Sequence, residues 1–139
     1  MLETVPASHR DLLDAAIVVT LVTVSDQAKP HAAAVWRKIE GGHIWIPTGY
    51  NTRKHRNIQA NPNIVVMTLD LHNPYRYLEI GGVVEAVTED TDHALLNELT
   101  MVYRGKTRFF GEIEPEEIGR TYHGLVLKIR PTRFYAYGP

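Results

Sequence analysis

The feature that most restricts this chain is how closely its strand-like runs follow one another. Ile17–Val24 (IVVTLVTV) is a continuous β-branched run, the mark of a buried strand. His31–Ile39 (HAAAVWRKI) reads as a second strand and His43–Thr48 (HIWIPT) as a third. Between them lie SDQAKP, which is turn chemistry, and Glu40-Gly41-Gly42, a tight hairpin turn. A parallel crossover needs about a dozen residues or more, so these three runs are expected to form an antiparallel meander. Ile64–Leu69 supplies a fourth strand and Tyr75–Val87 a long fifth. Gly81-Gly82 in the middle of the fifth marks a bulge or a barrel corner. Thr121–Tyr137 supplies one or two closing strands, with Pro131 at a kink or edge.

Helices are sparse. Ser8–Ala16 carries a short apolar stripe behind a Ser8 cap. A short polar helix follows Thr52, is anchored by Ile58 and ends at Asn61-Pro62. One longer amphipathic helix covers about Asp90–Tyr103, with Leu95, Leu96, Leu99, Val102 and Tyr103 at helical spacing and Gly105 as its stop. Lys106–Gly119 reads as a charged loop. The simplest architecture is a mostly β fold: a six- to seven-stranded antiparallel barrel with helices outside it.

The length of 139 residues, with no linker and no internal repeat, is expected to form one domain over residues 1–139. No cysteine occurs, which removes thiol nucleophiles, disulfides and Cys-ligated metal, and fits a reducing cytoplasm. The seven histidines show neither HxH nor HxxxH spacing, and no GxSxG, GxGxxG or P-loop pattern is present. The net charge is -1, and Tyr77–Tyr103 holds six acids and no Lys or Arg, so nucleic acid is not an expected partner. The longest apolar run, Ala15–Val24, is far short of the roughly 20 residues that span a bilayer, and the first residues lack a signal-peptide pattern.

One segment stands apart. Gly41–Leu69 contains no acid but carries Arg53, Lys54 and Arg56, with His43 and His55. Arg53 and Lys54 fall in the first helical turn, where the helix dipole disfavours cations. An anion such as a phosphate, held by free N–H groups, the Thr52 hydroxyl and the two cations, would account for that placement. A solvated basic face accounts for it equally well. Trp36 and Trp45, on adjacent expected strands, suit either packing or the wall of a flat ring. Ala32-Ala33-Ala34 offers a strand face that a ring could approach closely.

Four motifs together carry a family resemblance: PHAAAVW on the second strand, IPTxxxTRKxxN after the third, NPxIVV on the fourth and YRYLEIGG on the fifth. Over about residues 10–137 the chain resembles the pyridoxamine 5'-phosphate oxidase-like split barrel. More closely, it resembles the branch that uses the deazaflavin coenzyme F420. The resemblance implies a homodimer with two flavin-type sites at the subunit interface and a small-molecule substrate. Phosphate contacts would fall on Thr48, Thr52, Arg53 and Lys54, and the strand along the ring edge on Ala33, Ala34, Val35 and Trp36. Tyr77 would contribute from the fifth strand, reaching the partner's site, and Asn57, one turn after Arg53, would reach the coenzyme tail. The implied activity is hydride transfer between reduced F420 and a small conjugated or unsaturated acceptor. An FMN-dependent oxidoreductase and a non-catalytic F420 or flavin carrier are the alternatives. No side chain is expected to act as a nucleophile. Nothing after the last strand matches the basic segment with which pyridoxamine phosphate oxidases hold substrate, so vitamin B6 oxidation is not expected.

Overall fold

The computed structural model describes residues 1–139, in which seven strands form a single antiparallel sheet. The strands are β1 (Val19–Val24), β2 (Pro30–Val35), β3 (Lys38–Glu40), β4 (His43–Gly49), β5 (Asn63–Asp70), β6 (Asn73–Glu89) and β7 (Gly124–Tyr137). Their order is β2-β1-β5-β6-β7-β4-β3. The two outermost strands are therefore consecutive in the chain, joined only by Trp36 and Arg37. Three residue steps reach at most about 11 Å, so the opposite edges of the sheet must curl to within that distance. The sheet is thus a barrel with one seam that is not hydrogen-bonded, between β2 and the β3–β4 hairpin.

This corrects the expected meander. The run His31–Ile39 is two strands, and β2 pairs with β1 while β3 pairs with β4. Arg37 causes the break. Its side chain turns inward, is buried, and donates to the carbonyls of Leu12 (3.1 Å) and Ala15 (2.6 Å). Burial pushes its pKa down, and it has no carboxylate partner; carbonyls at the end of helix α1 (Asp11–Asp14) satisfy it instead. Tyr103 fixes the same corner, accepting from the Arg37 amide and donating to the Ile17 carbonyl.

Gly81-Gly82 is the expected irregularity: the β6–β7 register shifts there, opposite Pro131 and Arg133. A Cβ on Gly81 would lie 2.7 Å from the Arg133 side chain, so the bend is also a close approach. The barrel interior is one core in which Leu21, Ile44, Ile46, Leu78, Leu127 and Ile129 are fully shielded, sealed by Leu12 and Leu13 of α1 and Ile58 of α2 (Arg53–Ala60). Helix α3 runs over Ala94–Arg104 and ends at Gly105 in the left-handed conformation, as expected. It starts later than expected because Asp92 and His93 both take positive φ. The buried Asp90 carboxylate instead caps α3 from a distance, accepting from the Leu95 and Leu96 amides at 2.8 and 3.1 Å. Its buried side is Leu96, Leu99 and Thr100, whereas Val102 is 56% exposed. Lys106–Gly119 holds a short irregular helix α4 (Phe109–Glu112) and the start of α5 (Glu116–Thr121) in place of a plain loop.

Candidate functional site

The sheet seam opens a cleft of about 200 Å³ between the ends of β2 and β4. Its walls are Ala34, Val35 and Trp36 on one side, and Pro47, Thr48 and Gly49 on the other. Thr52 and Lys54 at the start of α2 form its floor, and Leu96 and Tyr122 close it. Six of the ten residues singled out from the sequence therefore converge here: Ala34, Val35, Trp36, Thr48, Thr52 and Lys54.

Local structure explains how each arrives. Alternation along β4 turns Ile44, Ile46 and Thr48 inward, which buries Thr48 (4% exposed) at the strand end. Thr52 caps α2: its hydroxyl accepts from the His55 amide (3.3 Å) and donates to the Gly49 carbonyl (3.0 Å). The Thr48 and Thr52 hydroxyls lie 3.4 Å apart. The amides of Arg53 and Lys54, first in the helix, have no carbonyl within it to bond. Beside them the half-buried Lys54 ammonium has no ion pair, and burial alone pushes its pKa below the ordinary lysine value. A cation held this way, with the Thr48 hydroxyl and a helix start beside it, fits an anion.

The structure divides the remaining candidates. Arg53 faces a second, larger cavity of about 570 Å³ along α2, together with Arg56, Asn57, Lys29 and His31. Arg53 and Arg56 are exposed and form no ion pair; Asp26 shares the cavity without pairing to either. His31 Nδ1 is buried there with no partner. Asn57 is buried, and its amide donates to Thr23 Oγ1 at 3.0 Å, which ties α2 to β1. Ala33 packs against the core. Tyr77 lies away from both cavities, stacked on Tyr137 with ring centroids 5.4 Å apart. The two histidines of the acid-free stretch line neither cavity. His55 is buried, and its Nδ1 accepts from the Asn51 amide; His43 pairs with Glu85.

Trp36 lines the cleft and stacks on Tyr103 at 5.3 Å, with Phe109 edge-on at 5.9 Å. Trp45 lies outside the cleft, donating to the Glu40 carbonyl with Lys128 over its ring. Sequence reasoning missed Tyr122. A Cβ on Gly49 would sit 3.0 Å from the Tyr122 hydroxyl and 3.2 Å from Thr52 Cγ2, so glycine at 49 is what admits the phenol to the cleft. Burial and the nearby Asp90 carboxylate raise the Tyr122 pKa, which keeps its proton in place.

The fold is a split barrel with a cation-bearing cleft at its seam. The chain matches the pyridoxamine 5'-phosphate oxidase family over residues 5–136 and belongs to that family. Among solved structures it is similar to an F420 reductase, with 30% identity and a TM-score of 0.81, over 94% of this chain and 98% of that one. A conserved hypothetical protein from Mycobacterium tuberculosis shares the fold at 20% identity and a TM-score of 0.72, over 96% and 84% of the two chains. So does HutZ, the heme storage protein of Vibrio cholerae, at 14% identity and 0.66, over 94% and 93%. No curated protein matches the chain.

Proposed function

We propose that the protein is an oxidoreductase that holds the deazaflavin F420 in the seam cleft and passes a hydride between it and a small conjugated acceptor. The observation that carries this reading is Lys54, a half-buried cation without a carboxylate, set beside Thr48, Thr52 and Trp36. In this reading Lys54 and the Arg53 and Lys54 amides bind the coenzyme phosphate. The backbone from Ala34 to Trp36 borders the ring. When bound, the reduced deazaflavin supplies the hydride; the chain supplies position, orientation and exclusion of water.

FMN ends in a compact phosphate, which the Lys54 corner alone can serve. The cavity lined by Arg53, Arg56 and Lys29 favours F420, because a phosphodiester with an oligoglutamate tail is long enough to occupy both cavities. The similarity to an F420 reductase supports the same choice. We further propose a homodimer. Leu71, Tyr75, Tyr135 and Tyr137 leave an exposed apolar group around Tyr77, a surface suited to a second copy whose site Tyr77 would complete.

The test is turnover. Purified protein mixed anaerobically with reduced F420 and cyclohexenone should accelerate coenzyme reoxidation well above the protein-free rate. Tight F420 binding with no acceleration across a panel of enones and nitroarenes would refute the enzyme and leave a carrier. Sedimentation should show a dimer; a 15.7 kDa species at micromolar concentration would refute the dimer.

A further inference from the structure

A third concavity, of about 320 Å³, opens on the far side of Tyr122 from the seam cleft. The two share Gly49, Thr52 and Tyr122, so they are neighbouring chambers with one phenol between them. Their chemistry differs. The seam cleft has the Lys54 ammonium, whereas this vestibule contains no Lys or Arg. Its walls are the Tyr50 ring, stacked on His123 at 4.9 Å and 18° between planes, and Ile118. Tyr50 and Ile118 are 58% and 48% exposed, an unusual gathering of large apolar side chains around an open hollow.

Three of the polar side chains facing the hollow are engaged. The Thr52 hydroxyl caps α2, Thr121 Oγ1 bonds the Ile118 carbonyl, and His123 Nε2 is held by Glu89. The Tyr50 and Tyr122 hydroxyls make no hydrogen bond within the chain, and Tyr122 is the less exposed of the two. A site with aromatic walls, no free cation and two unspent phenol donors selects a flat, uncharged molecule bearing an acceptor oxygen.

We propose that this vestibule seats the second reactant, an uncharged planar carbonyl compound whose oxygen accepts a hydrogen bond from the Tyr122 hydroxyl. The proposal rests on the F420 reading of the seam cleft, and it makes Tyr122 the residue that touches both ligands. The phenol's raised pKa keeps it a donor through the neutral and mildly alkaline range.

The test uses acetophenone, a planar ketone without a reducible conjugated alkene, followed by saturation-transfer NMR on the full chain with and without F420. Coenzyme affinity is measured separately by calorimetry. Acetophenone should bind the wild-type protein and remain bound when F420 saturates. Ile118→Trp, which fills the hollow from an exposed position, should abolish acetophenone binding and leave F420 affinity within about twofold. Tyr122→Phe, which keeps the ring and removes the donor, should weaken acetophenone roughly 5-fold, as expected for loss of one neutral hydrogen bond. Tyr50→Ala, at another exposed wall position, should weaken it as well. Displacement of acetophenone by F420 would place the ketone in the coenzyme cleft and overturn the proposal. Unchanged acetophenone binding in both Ile118→Trp and Tyr50→Ala would do the same. Acetophenone binding by a protein that binds neither F420 nor FMN would instead defeat the coenzyme reading, and with it the vestibule's role as seat of a second reactant.

Discussion

Replacing Lys54 with Met separates a binding lysine from a surface lysine. Met keeps much of the apolar stem and removes the ammonium, so lost packing contributes little. Without ligand, the half-buried ammonium faces no carboxylate, and burial lowers its pKa. Between that lowered value and the ordinary lysine value the unfolded chain holds a proton the folded chain has released, so stability rises with pH across this window. Below it, both states are charged and the folded state carries the burial penalty. Lys54→Met should therefore melt at the same or a higher temperature than wild type at neutral pH, and the gap should narrow as pH rises through the window. With coenzyme the sign reverses. A charge-assisted hydrogen bond contributes about 1.5–3 kcal/mol, so F420 affinity should fall roughly 10- to 100-fold. The remaining binding should be less sensitive to salt. Tryptophan fluorescence with F420, read from Trp36 in the cleft wall, and apo melting curves between neutral and alkaline pH measure both arms. Unchanged affinity together with a lower apo melting temperature would refute the reasoning, because it would make Lys54 a structural residue.

Other residues give sharp expectations. Arg53→Ala and Arg56→Ala should each weaken F420 but leave FMN affinity within about twofold, since both guanidiniums line the outer cavity; equal losses for the two ligands by calorimetry would contradict the division of the patch. Asn57→Ala breaks the buried bond to Thr23 Oγ1 and strands that hydroxyl, so urea unfolding should show a loss of about 1–3 kcal/mol. Asp90→Ala removes the acceptor for the Leu95 and Leu96 amides and should cost about 1–2 kcal/mol, read as a lower urea midpoint with an unchanged slope. Tyr77→Phe should leave coenzyme binding unchanged in any preparation that sediments as a monomer, because within one chain Tyr77 touches Tyr137 and not the cleft.

The legible parts of this fold are those whose cause is local. Thr52 announces its helix because a cap is a property of neighbours in sequence, and the left-handed Gly105 stops α3 for the same reason. Gly81-Gly82 inside a long β run was readable as a bend because side chains leave no other reason for two glycines there. The split of His31–Ile39 was not readable. Alternation continues through Trp36 and Arg37, and the carbonyls that draw Arg37 inward belong to Leu12 and Ala15, far back in the chain. The narrower buried face of α3 has a similar origin. Periodicity placed Val102 on the apolar stripe, but the barrel surface it would need ends at Leu99 and Thr100. In the site, the TxxxTRK spacing picked out Thr48, Thr52 and Lys54, which share one cleft, yet it could not show that successive residues 53 and 54 line different cavities. Tyr122 left no sequence signal, since its place depends on Gly49 making room for it.

The central claim is that the β2–β4 seam holds F420 with its phosphate at the Lys54 corner. A crystal structure of the protein grown with saturating F420 tests this most directly. The account predicts coenzyme density in the seam, a phosphate oxygen within hydrogen-bonding distance of Lys54 Nζ, and the anionic tail passing over Arg53 and Arg56. An empty seam at saturating coenzyme, or F420 bound with its phosphate away from Lys54, would contradict it.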